Sequence, residues 1–99
     1  MTHREAVLAQ VARRQRALEA VRELLVEALK VRMDKEDIDP DVSLFGTGLG
    51  LDSVDAVELV VSLETQLGVI LPDTSAARAH LRTVNTLVDL VLAAEAVTP

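Results

Sequence analysis

An all-α domain with three substantial helices and one short one is what this sequence predicts. No segment alternates apolar and polar residues for long enough to form a half-buried strand. Leucine, valine and alanine dominate a hydrophobic fraction of 49%, and Phe45 is the single aromatic residue. Apolar residues recur at three- and four-residue spacing, the period of a helix with one buried face. A chain of 99 residues makes one domain around an aliphatic core.

The elements follow in order. Thr2-His3-Arg4-Glu5 reads as a capping box, in which a threonine hydroxyl and a glutamate carboxylate each accept from the other's backbone N–H. The helix it opens is expected to run to about Met33 on a stripe of Val7, Val11, Leu18, Val21, Leu25 and Leu29. Arg13-Arg14-Gln15-Arg16 interrupts that stripe. The chain is therefore expected to divide into a basic N-terminal helical extension (1–16), a bundle domain (17–94) and a short tail (95–99). Two readings of the extension are open: a solvated, partly ordered arm, or a docking or self-association patch of Val7, Leu8 and Val11 among arginines. Asp34 to Leu51 is a long connection tethered by Ile38, Leu44, Phe45, Leu49 and Leu51, with Phe45 as a core plug. Ser53 to Leu67 is helical again and stops at Gly68. Pro72-Asp73-Thr74 starts a short helix through about His80, and Thr83 caps a last helix on Val84, Leu87, Val88, Val91 and Leu92.

Composition removes several function classes. The net charge of −6 is unevenly spread. Residues 1–33 hold seven basic side chains against four acidic, whereas residues 34–99 hold three against twelve. The acidic part repels nucleic-acid phosphates and attracts basic protein surfaces. Without cysteine there is no disulfide, thiolate metal site or cysteine nucleophile. The N-terminus lacks the apolar core of a signal peptide and no run reaches membrane-spanning length, so a cytoplasmic protein is expected; it is also expected to be a monomer. Gly46, Gly48 and Gly50 are not followed by the Gly-Lys-Ser/Thr of a phosphate loop. Asp37, Asp39 and Asp41 are spaced as in a calcium loop, but Val42 stands where its turn glycine belongs and Gly48 where its bidentate glutamate belongs.

What remains is Ser53, at the point where the glycine-rich loop gives way to a helix. As a nucleophile it needs a base, and the two histidines are His3 and His80. His80 could approach Ser53 in a compact fold, yet nothing resembles a nucleophile elbow. As a carrier of an anionic group it is well placed, because the positive end of the helix dipole and unpaired backbone N–H groups lie there. Asp52 or Ser53 can also serve as the N-cap. The helix itself carries two apolar stripes. Leu59, Val60, Leu63 and Leu67 form a core stripe, and Val54, Val57 and Val61 form a second one bordered by Asp52, Asp55, Glu58 and Glu64. The extra valines either complete a wide core or make a recognition surface for basic partners, and the surrounding carboxylates favour recognition.

Leu51-Asp52-Ser53-Val54-Asp55 followed by Val57-Glu58-Leu59-Val60 resembles the Asp-Ser-Leu-type attachment motif of acyl carrier proteins, with Val54 in place of the commoner leucine. Glu64 and Leu67 to Asp73 resemble the family's helix end and turn, and Thr83 to Val88 the start of its last helix, so the likeness spans about Ala17 to Ala94. The resemblance implies a four-helix acyl-carrier bundle with 4′-phosphopantetheine joined to Ser53 by a phosphodiester and acyl groups held as thioesters on its terminal thiol. It implies that Asp52 helps the phosphopantetheinyl transferase engage the site. Val54, Asp55, Val57, Glu58 and Val61, with Glu64 beside them, match the surface that meets partner enzymes such as acyl-loading enzymes and ketosynthases with basic docking faces. It also implies a non-catalytic protein whose acyl chain shelters between helices. Leu67 replaces the family's usual aromatic residue, the basic extension is not standard, and the loop Leu44 to Leu51 is more similar to discrete carriers of specialised polyketide or polyene pathways than to a housekeeping fatty-acid carrier. Two other readings stand beside this one: an unmodified interaction module that works through its acidic helix, and a peptidyl or aminoacyl carrier.

Overall fold

The computed structural model describes residues 2–71 and 81–97, with side chains described as far as Ala94. Among them the architecture is helical: α1 (His3–Glu27), a 3-10 turn (Lys35–Asp37), α2 (Ser53–Leu67) and α3 (Val84–Val97). The helix expected from Pro72 to His80 lies outside the described residues.

The capping box opens α1 as its residues predict. Thr2 Oγ1 accepts from the Glu5 N–H at 3.2 Å, and Glu5 Oε2 accepts from the Thr2 N–H at 3.3 Å. The four residues Arg13–Arg16 break the apolar stripe without breaking the helix, which is continuous from His3. Arg14 is the reason this stretch stays attached to the bundle. Its guanidinium donates to Asp89 at 2.7 Å and to Asn85 at 3.1 Å, both on α3. Farther along, Ala17, Val21, Leu24 and Leu25 turn one face into the core. The helix ends at Glu27, short of the expected Met33, because the chain must turn to bury Leu29. The Leu29 N–H reaches back to the Leu24 carbonyl and that of Val31 to the Leu25 carbonyl, while Lys30 takes up a left-handed φ of 60°. That conformation suits glycine, and a lysine pays a steric cost there.

The connection from residue 28 to residue 52 is irregular but pinned. Ile38 and Leu44 are fully buried and Leu51 nearly so. Phe45 is only half-buried against the core edge, so the plugging role expected of it falls to Ile38 and Leu44. Arg22 of α1 clamps this segment from below, donating Nε and Nη2 to the Ile38 carbonyl at 3.1 and 2.7 Å. The segment also makes short backbone pairings with the chain just before α3. Leu44 N–H donates to the Arg82 carbonyl and Val84 N–H to the Val42 carbonyl, around a single bridge between Ser43 and Thr83.

α3 begins with a reciprocal cap, as Thr83 predicts. Thr83 Oγ1 accepts from the Thr86 N–H at 3.2 Å, and Thr86 Oγ1 accepts from the Thr83 N–H at 3.0 Å. Val84, Leu87, Val88 and Val91 enter the core. α1 packs on both α2 and α3, most extensively on α3. The interior is aliphatic throughout, and among the described residues no buried side-chain polar atom lacks a hydrogen-bond partner.

Candidate functional site

The approach to Ser53 is set by two apolar anchors and three glycines. Leu44 and Leu51 fix the ends of a tight loop, whose N–H groups at Leu49 and Leu51 donate to the Ser43 and Leu44 carbonyls at 2.8 and 3.1 Å. Gly46 and Gly50 take positive φ of 67° and 75°, a region open to glycine at no steric cost. A Cβ on Gly48 would overlap the Ser43 carbonyl. Once Leu51 is buried, Asp52 and Ser53 emerge at the surface.

Asp52, not Ser53, is the N-cap. Its Oδ1 accepts from the N–H groups of Val54 and Asp55 at 3.0 and 2.9 Å, and Asp55 Oδ2 accepts from the Asp52 N–H at 2.9 Å. The Asp55 backbone N–H, helped by that of Val54, holds the Asp52 carboxyl below the ordinary aspartate value. The cap corrects one expectation. Two of the N–H groups expected to receive a phosphate on Ser53 are already taken by a carboxylate.

Ser53 is the first residue of α2 and is exposed. Among the described residues no hydrogen bond joins its hydroxyl to a basic side chain. His3 lies in the first turn of α1, at the far end of the extension, and His80 is outside the described residues. Ser53 thus offers an exposed hydroxyl on a helix end closed by a reciprocal cap.

The two stripes of α2 separate cleanly. Leu59, Ser62 and Leu63 face the core, with Val60 and Leu67 half-buried at its margin. Val54, Val57 and Val61 are 75%, 66% and 49% exposed, so they do not complete a wide core. Glu58 and Glu64 are exposed around them. Asp55 differs from its neighbours because its carboxylate is committed to the cap and it is half-buried. Ser53, Val54, Val57, Glu58 and Val61 are thus gathered on the outer side of the helix, with Glu64 at its edge.

Three features were not found by reading residues alone. The Asp52/Asp55 box has a signature, acidic residues three apart before an apolar run, that a wider capping pattern would catch. The Arg22 clamp has none, since its acceptor is a backbone carbonyl sixteen residues away. Ile70 projects into solvent while Val69 is buried beside it, and nothing in Val69-Ile70-Leu71 distinguishes them beforehand. The acidic loop is structural: Asp39 accepts from the Asp41 N–H at 2.8 Å, and Asp41 from the Asn85 amide at 2.6 Å. Among the described residues no group of His, Cys, Asp and Glu could hold a metal ion, and no helix is long and apolar enough to cross a membrane. An aliphatic cleft of about 280 Å³ lies between Ala17, Ala20, Leu67, Val69 and Val91. It sits at the end of α2 opposite Ser53, about 21 Å along the helix axis, and so does not adjoin the serine.

The arrangement is a helical module with an exposed serine at the head of a helix whose outer side is apolar and acidic. Residues 19–91 match the family described as "Phosphopantetheine attachment site". The chain is also 38% identical over 74 residues to an acyl carrier protein of Thermosynechococcus vestitus, covering 75% of this chain and 85% of that protein. It belongs to the acyl carrier protein family, and its prosthetic group is 4′-phosphopantetheine.

Proposed function

We propose that this is a discrete, non-catalytic carrier that holds acyl or polyketide intermediates on 4′-phosphopantetheine linked to Ser53. It presents them to enzymes of fatty-acid or specialised polyketide or polyene biosynthesis. The observation that supports Ser53 is the Asp52-Ser53-Val54 motif at the exposed, capped start of α2. Among the described serines Ser62 is buried and Ser43, although exposed, lies in the irregular connection bridged to Thr83, whereas Ser53 stands exposed at the capped start of α2. When bound, the group supplies a terminal thiol for thioesters, which a chain without cysteine lacks.

The protein's own part is positioning. Asp52 locks the first turn of α2 and leaves its outward side for the transferase to engage. Val54, Val57 and Val61 offer an apolar strip to partner enzymes, and Asp55, Glu58 and Glu64 supply negative charge that steers basic docking faces onto it. A tethered acyl group then meets each active site at high effective concentration. On this reading residues 17–94 are the carrier domain, 1–16 a basic helical extension and 95–99 a tail. The protein works in the cytoplasm as a monomer, and nucleic acid is not a ligand.

Incubation with a phosphopantetheinyl transferase and coenzyme A should add one phosphopantetheine mass to the native chain and none to Ser53→Ala. No mass gain, with a transferase shown active on another carrier, overturns the assignment. Loading assays with acyl and aminoacyl donors would then separate an acyl carrier from a peptidyl or aminoacyl one.

A further inference from the structure

The three carboxylates within α2 are not alike. Glu58 and Glu64 are exposed, and among the described residues their carboxylates hold no hydrogen bond. Asp55 is half-buried, and its Oδ2 accepts from the Asp52 N–H at 2.9 Å. Asp52 Oδ1 closes the ring by accepting from the N–H groups of Val54 and Asp55. Ser53 is the residue these bonds enclose. The N–H groups on both sides of it, those of Asp52 and Val54, are held, while its own hydroxyl stays out of the ring. Just upstream, Gly50 has a φ of 75°, and glycine crosses between backbone regions at little steric cost.

We infer that Asp55 is a positioning residue for the transfer of phosphopantetheine to Ser53, acting through the Asp52 backbone, and that its charge is dispensable for this step. The inference rests on the carrier reading and deepens it. In the transfer Ser53 Oγ bonds to the pantetheine-bearing phosphorus of coenzyme A and the diphosphate P–O bond breaks. Adenosine 3′,5′-bisphosphate leaves with the electron pair, and the serine proton passes to the transferase or to water. The attacking oxygen must be held in line, and a misplacement of about 1 Å can cost on the order of a hundredfold. Without the Asp55 carboxylate the Asp52 N–H loses its partner, and the backbone entering Ser53 is held on one side only. An asparagine at position 55 keeps an acceptor oxygen there and sheds the charge. It also removes a like-charged neighbour from Asp52, so the ring does not need that charge. Glu58, exposed and without a bond of its own, is the carboxylate left to act through charge.

Transfer rates for native, Asp55→Asn, Asp55→Ala and Glu58→Gln chains test this, measured by mass spectrometry with a transferase shown active on another carrier. Each is compared with the native chain at low salt and at about 0.5 M salt, where charges are screened within a few ångström. Amide hydrogen exchange at Asp52 is measured on the same unmodified chains. Losing a capping side chain weakens a helix end by about two- to thirtyfold, so Asp55→Ala should speed exchange of the Asp52 N–H within that range. It should also lose about tenfold in kcat/KM at both salt levels, in the middle of that range. Asp55→Asn should keep the slow exchange, lose no more than Glu58→Gln at low salt, and match the native chain at high salt. Helix content by circular dichroism should be unchanged throughout, since Asp52 still caps α2. The inference is overturned if Asp55→Asn is as slow as Asp55→Ala at high salt, which makes the charge the determinant. It is overturned equally if Asp55→Ala frees the Asp52 N–H yet transfers at the native rate. A native chain that takes up no phosphopantetheine instead overturns the carrier reading, and this inference with it.

Discussion

Replacing Arg22 by methionine should be among the most damaging single changes outside the aliphatic core. The side chain of Arg22 is 15% exposed, and two of its N–H groups converge on the Ile38 carbonyl at 3.1 and 2.7 Å. Methionine keeps much of the apolar stem and removes both donors, leaving a carbonyl in a buried turn without its partner. Hydrogen bonds from a charged donor contribute about 1.5–3 kcal/mol, so a loss of about 2 kcal/mol is expected. The contact from Arg22 to Glu19 is 4.0 Å long and half exposed on the glutamate side, so it adds little. For a domain of this size, about 2 kcal/mol corresponds to a melting point lower by about 8–16 °C. Thermal and urea unfolding of native, Arg22→Met and Arg22→Lys chains would measure it. Lysine, with one point-like donor group, should recover roughly half the loss. If Arg22→Met lies within about 0.5 kcal/mol of the native chain, the ordinary range for surface changes, the clamp does not hold the loop.

Three further outcomes follow from particular residues. Lys30→Gly relieves a left-handed φ of 60° at an exposed position and should stabilise the chain by up to about 1 kcal/mol, a melting-point rise of about 4–8 °C. Asp52 has a folded pKa below its ordinary 3.8. Its contribution is therefore fully present above that value and lost as pH falls through the lower folded value. Unfolding curves between neutral and strongly acidic pH should show that loss in the native chain and a flatter acid limb in Asp52→Asn. Glu58→Lys should slow association with a basic partner enzyme on the order of tenfold at low salt, and stopped-flow mixing should show the gap closing as salt rises.

Much of the architecture was legible because it rests on local rules. Thr2 and Glu5 form their box, Gly68 ends α2 in a left-handed turn with φ 67°, and Thr83 caps α3. Each depends on residues within one helical turn. The resemblance around Ser53 also pointed to the family that residues 19–91 match. What misled the residue pattern was always non-local. The arginines at 13–16 interrupt the apolar stripe of α1, but Arg14 reaches α3 and the helix runs through them. Phe45 looked like the core plug, but burial of Leu44 and Ile38 leaves it at the edge.

Sequence by itself determined the helical class, the capped ends, the serine at the head of α2 and the two stripes along that helix. Those follow from spacing and side-chain chemistry alone. Only the tertiary structure decided which stripe the core would take. Leu59 and Leu63 joined the aliphatic core with residues of α1 and α3, and the three valines stayed exposed. It also decided that Asp52 takes N–H groups of the first turn of α2, two of those that a phosphate on Ser53 was expected to meet. Burial and hydrogen-bond partnership are settled by what the rest of the chain brings into contact, and spacing along one helix does not specify that.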